Sequence, residues 1–158
     1  MAFIKNLPPS PQALNFGYAE HLLVWSWRRM ATGRGHCQFI DREFGEACGE
    51  NAREVFATFV TFLEALAYAS RRQMVLGHPG YLGLTADERQ VLTLLAALQN
   101  RRLALFDAHL AWLSKPDRRQ TLSIGAGALA AALSANDLHL TVPNAVAPTR
   151  CDRQIAVA

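Results

Sequence analysis

The run VFATFVTFLEALAYA, Val55 to Ala69, carries a single charge, Glu64. Phe56, Phe59, Val60, Phe62, Leu63 and Leu66 cover most of a helical circumference, the mark of a helix surrounded by others. Only a narrow polar stripe is left: Glu54, Thr58, Thr61, Glu64 and Tyr68. The run falls short of the ~20 apolar residues needed to span a bilayer, as does TLSIGAGALAAALSA (Thr121 to Ala135). Both predict core helices. The many small side chains of the second allow another backbone to approach closely, either a neighbour in the bundle or a second subunit.

The rest of the chain arranges itself around that helix. Residues 1–14, with NLPPSPQ, read as an extended arm, because successive prolines forbid helix. Asn15 caps a first helix from Phe16 to Ala31, ended by TGRG. A second runs from Cys37 to Cys48 and stops at Gly49. The central helix runs from a cap at Asn51 to about Met74, and GHPGYLG (Gly77 to Gly83) is a loop. Thr85 and Glu88 form a capping box for a fourth helix reaching Gln99. A fifth spans Arg101 to Leu113. Ser114, Pro116 and Asp117 supply a cap, a first-turn proline and a first-turn acid for a sixth ending near Asn136. Residues 137–158 read as a tail. No β-alternation is long enough to build a sheet. The prediction is all-α: one domain, a bundle of five or six helices occupying residues 15–136 around the central long helix, with extended arms at both ends.

At 158 residues, 51% hydrophobic and 18% charged, the chain is long enough and apolar enough for one large core, which excludes a disordered, solvating chain. The net charge of +3 is only a mild basic excess, so a dedicated nucleic-acid binder is not favoured. Three cysteines without paired spacing, and no secretory leader in MAFIKNLPPSPQ, suggest a cytoplasmic protein with reduced thiols.

The chemistry-bearing residues form no decisive constellation. Cys37 and Cys48 bracket one helix about 16 Å long and cannot share an ion. His36 beside Cys37 remains the one candidate metal pair, set against buried thiols and a loop histidine. No base can be placed beside Cys48, so no catalytic residue is assigned and no cofactor is implied. Candidate ligand-binding residues are His21 with Trp25, Glu64 with Tyr68, and His109 with Trp112. Each pair has a plainer reading, as core packing or as the solvent edge of a buried helix. Four arginine doublets stand out. Arg28/Arg29 and Arg71/Arg72 close helices, where cations suit the negative end. Arg101/Arg102 and Arg118/Arg119 open helices, where the dipole disfavours them. An anion site built from Arg71, Arg72, Arg101, Arg102, Arg118 and Arg119 requires the doublets to converge. Solvated helix ends are the alternative.

LTADERQVLTLLA (Leu84 to Ala96) resembles the first helix of LuxR-type helix-turn-helix domains over about a dozen residues. The likeness stops where DNA would be read: Leu98 stands at the turn glycine, and NRRLALFDAHLAWLS lacks the recognition-helix pattern. Cys37, ACGE (Ala47 to Glu50), Arg71/Arg72, GHPG (Gly77 to Gly80) and LTADER (Leu84 to Arg89) together resemble a small all-helical proteobacterial family with no assigned function. That resemblance covers most of the chain and implies only an all-helical bacterial domain, with no catalytic residues to carry over. The sequence thus favours a non-catalytic protein-interaction or regulatory module with a protein partner or as a homodimer. A nucleic-acid or anion-binding regulator comes second, and a small-ligand or metal-binding bundle third.

Overall fold

The computed structural model describes residues 17–34 and 37–141. Six helices follow one another: α1 (Tyr18–Arg29), α2 (Gln38–Cys48), α3 (Ala52–Ala69), α4 (Ala86–Gln99), α5 (Leu103–Leu113) and α6 (Arg119–Ala135). The all-α single-domain expectation is met. No described helix is long and apolar enough to cross a membrane.

The longest helix, α3, packs most extensively on α6 and also on α2. The small residues of α6 account for the first contact. A Cβ on Gly125 would lie 3.3 Å from the Ala65 Cβ and 3.6 Å from the Phe62 Cα, so glycine is what lets the two helices meet this closely. Phe44 of α2 packs edge-on to Phe56, with ring centroids 5.2 Å apart, and tilted against Phe59 at 5.9 Å. Enclosure is greatest for α4, where Val91 through Ala97 are all buried.

Several helix ends fall elsewhere than the sequence suggests. α3 stops at Ala69 rather than near Met74, because Ser70 enters a single antiparallel bridge with Ser114. The two helix ends are built alike. The Ser70 amide and hydroxyl both donate to Leu66 O, at 2.9 and 2.6 Å. Those of Ser114 both donate to Leu110 O, at 3.0 and 2.5 Å. Across the bridge Arg71 N donates to Leu113 O (3.1 Å) and Lys115 N to Ala69 O (2.9 Å). Each helix thus has terminal carbonyls satisfied by the segment that follows the other. Ser114 is therefore the end of α5 and not the cap of α6, which is entered through a short 3-10 turn, Pro116–Arg118.

Arg102 opens α5 as its N-cap, with its carbonyl accepting from Phe106 N (3.0 Å), but the doublet also closes α4. The Arg102 amide reaches back to Ala97 O (2.8 Å) and the Arg101 amide to Leu98 O (3.1 Å), with Arg101 at φ +55°. This pairing is a Schellman turn closing α4, with arginine at the left-handed position where glycine is usual. The doublet thus stands at the carboxyl end of α4, where the dipole favours a cation, and at the amino end of α5, where it does not.

The tail read from residue 137 is part of the core at its start. Leu138 and Leu140 are buried. Gln99 Nε2 donates to Leu138 O (2.9 Å) and Leu140 N donates to Gln99 Oε1 (2.7 Å). Thr141 donates through its amide and hydroxyl to the buried Glu20 carboxylate. The arm 1–14, the Asn15 cap and residues 142–158 lie outside the described residues.

Candidate functional site

Segment 70–85 joins α3 to α4 without helix, yet it is tightly placed by the first turn of α4. The capping box forms as the sequence predicts: Glu88 N donates to Thr85 Oγ1 (3.1 Å) and Thr85 N to Glu88 Oε2 (2.8 Å). Glu88 does more than cap. Fully buried, it accepts from Arg28 Nε (2.6 Å) and Nη2 (2.7 Å) and from Gly77 N (3.0 Å). The same guanidinium, buried at the end of α1, donates to Tyr81 O and Gly83 O, each at 2.7 Å. Its neighbour Asp87 accepts two bonds from Arg72 (2.7 and 2.8 Å) and one from Val75 N (2.6 Å). Burial works against the Asp87 charge, but Arg72 and the Val75 amide outweigh it and hold the carboxyl below its usual range.

Held in this way, segment 70–79 forms one wall of a cavity of about 570 Å³, the other walls being α1 and α3. Trp27, Leu63, Leu66 and Met74 give it an apolar floor, and Thr32, Ser70 and Gln73 add polar edges. Arg71, Arg72, Lys115 and His78 are also in its lining. His78 accepts from Gly80 N through Nδ1 (3.2 Å), which leaves Nε2 to carry the ring proton. A second groove, which shares Arg71, Arg72 and Met74 with the cavity, is also lined by Ala111 and the exposed Trp112.

Of the residues singled out in the sequence, Arg71 and Arg72 line the cavity; His21, Trp25, Glu64, Tyr68 and His109 do not. Glu64 is exposed, on the solvent edge of α3. Tyr68 is exposed beneath the guanidinium of Arg118, which lies 4.4 Å from its ring centroid. Arg72 stands similarly over Trp112 at 5.8 Å. His109 is half-buried on α5, and burial lowers its pKa. On α1, Trp25 is buried under Arg29 at 5.2 Å, and His21 is half-buried.

The arginine doublets converge in part. The Ser70–Ser114 bridge brings Arg71 and Arg72 together with Lys115 and Arg118. Arg71 Nη2 donates to Ala111 O (3.1 Å) and Arg118 Nη1 to Tyr68 O (2.9 Å). Arg101 and Arg102 lie at the opposite end of α5, about 15 Å away along its axis. Arg119 begins α6 half-buried.

For the metal reading, His36 lies outside the described residues, and the described residues hold no cluster of three or more His, Cys, Asp or Glu side chains suited to an ion. Burial disfavours the Cys37 thiolate, but the Ile40 and Phe39 amides and Arg29 outweigh it and lower the thiol's pKa. Burial raises that of Cys48, which argues against a nucleophile there.

No family model, curated protein or solved structure matches the chain.

Sequence reasoning did not find Trp27, Leu63, Met74 or Lys115 as a set. The cations were visible as a doublet and a lone lysine. The floor residues look like any other core residues.

Proposed function

We propose that the protein is a small-molecule-binding regulatory module whose ligand occupies the cavity between α1, α3 and segment 70–79. The carrying observation is the cavity itself. At about 570 Å³ it falls within the roughly 300–1,000 Å³ typical of small-molecule sites, and an apolar floor with a few polar groups at its edge is their usual composition. This reading moves the ligand-binding alternative ahead of the protein-interaction module that the sequence put first, since the small inner residues of α6 are occupied in seating α3. Regulation follows from the walls. Two are helices and the third is a non-helical segment held by Arg28, Asp87 and Glu88, so a bound molecule favours one placement of that segment over others.

Thermal unfolding in the presence of amphipathic small molecules, anionic, neutral and cationic, tests this against Ala67→Trp. Ala67 is an exposed wall residue, and an indole there obstructs the cavity. A ligand at a hundred times its Kd stabilises by about 2.7 kcal/mol, worth roughly 5–10 °C in Tm. At least one class should produce such a shift in the wild type and not in Ala67→Trp. No shift from any class, or one that survives the substitution, refutes the proposal.

A further inference from the structure

We infer that the ligand of this cavity is an organic monoanion, a carboxylate on an apolar body, with the carboxylate held between Arg71 and Lys115. The inference rests on the ligand-binding reading above and adds the ligand's charge class.

Geometry supplies the first support. Ser70 opposes Ser114, so Arg71 and Lys115 occupy diagonal positions of an antiparallel pair. Such positions are about 7–8 Å apart, and alternation along the two strands places both side chains on the same side. Two long cationic side chains at that spacing can close on one carboxylate. Both residues line the cavity whose floor is Trp27, Leu63, Leu66 and Met74.

Charge balance supplies the second. Arg28 is matched by Glu88 and Arg72 by Asp87, and Arg118 lies 3.6 Å from Asp117. Neither Arg71 nor Lys115 has an acidic partner among the described residues. Arg71 already gives Nη2 to Ala111 O, and its remaining donors together with the Lys115 ammonium suit the two oxygens of one carboxylate. A nucleic-acid strand carries several times the charge of this pair.

The test is calorimetric titration of the full-length protein with octanoate, octanol and octyl phosphate at pH 8, repeated on the Arg71→Gln/Lys115→Gln variant. Both positions are exposed, and glutamine keeps a donor for Ala111 O. Octanoate should bind at least about tenfold more tightly than octanol, and the double substitution should weaken octanoate about tenfold while leaving octanol unchanged. Retained octanol binding by the variant shows that its cavity is intact. Equal binding of octanoate and octanol, or octanoate binding indifferent to the substitutions, overturns the monoanion inference and leaves the cavity reading standing. Tighter binding of octyl phosphate also overturns it, in favour of a dianion. If none of the three binds and no other class passes the Ala67→Trp test, both readings fall.

Discussion

Arg28→Met would test whether a buried ion pair positions the cavity wall. The guanidinium makes four bonds: two to Glu88 and one each to the carbonyls of Tyr81 and Gly83. Methionine nearly fills the volume and makes none of them. It strands a fully buried carboxylate on two backbone amides, Gly77 N and Thr85 N. Removing one partner of a buried pair costs about 3–5 kcal/mol. The Tyr81 carbonyl adds little, since residues 78–82 reach the surface and water can replace the lost donor, whereas Gly83 is buried and its orphaned carbonyl adds at least about 1 kcal/mol. The expected loss is about 5 kcal/mol, a large part of the ~5–15 kcal/mol that holds a domain together, and Tm falls by roughly 10–20 °C. Glu88→Gln keeps one capping oxygen but turns an amide nitrogen toward the guanidinium. The double variant Arg28→Met/Glu88→Gln removes both charges at once and should cost less than the two singles summed, by about 2 kcal/mol or more. Urea unfolding followed by far-UV circular dichroism at pH 7 measures all three. A loss below about 1 kcal/mol for Arg28→Met, or strict additivity in the double variant, would refute the account of a coupled, dry pair.

Three other expectations follow from single residues. Asp87 has its pKa lowered in the folded state, so its stabilisation is present above the unfolded carboxylate pKa of about 3.9 and is lost as pH falls through the folded value. Asp87→Asn should lower the unfolding free energy measured by urea titration at pH 7 by about 1–2 kcal/mol, discounted because Arg72 is half-exposed, and the gap to wild type should narrow between roughly pH 5 and pH 3; a constant gap would contradict this. Arg101→Gly should stabilise by about 1 kcal/mol in thermal unfolding, because a left-handed turn disfavours a side chain with a Cβ. Gly77→Ala should destabilise by about 1–3 kcal/mol, since its Cβ would lie 2.7 Å from both Arg28 Nη2 and Tyr81 Cδ1; neutral behaviour would mean that the clamp gives way easily.

What the sequence made legible was local. The Thr85–Glu88 box and the Gly49 stop depend on residues within two turns of one another, and each appears as read; the apolar run of α3 does so in part, since Phe56, Val60 and Leu63 are half-buried and α4 is the more enclosed helix. Glu88 is instructive. Its capping role was visible three residues from Thr85, but its bond to Arg28 joins positions sixty apart and has no local signature. Ser114 misled for the same reason: serine serves at either end of a helix, and only its bridge to Ser70 decides which. Arg101 concealed a turn because glycine, the usual mark, is missing. Leu138 and Leu140 looked like tail because two residues cannot display a period. In the cavity, Arg71 and Arg72 stood out as charges, whereas Trp27, Leu63 and Met74 come from separate segments and only folding collects them.

The crossed helix ends at Ser70 and Ser114 also bear on how the molecule opens. Frayed ends normally exchange their amide hydrogens independently, each with its own small opening free energy. Here the last carbonyls of α3 are held by residues following α5, and those of α5 by residues following α3, so neither end can loosen without releasing the other. The amides of Arg71 and Lys115 therefore belong to one opening unit, although more than forty positions separate them. Whatever disturbs the final turn of α5 also releases the Arg71 amide, and with it the cavity wall.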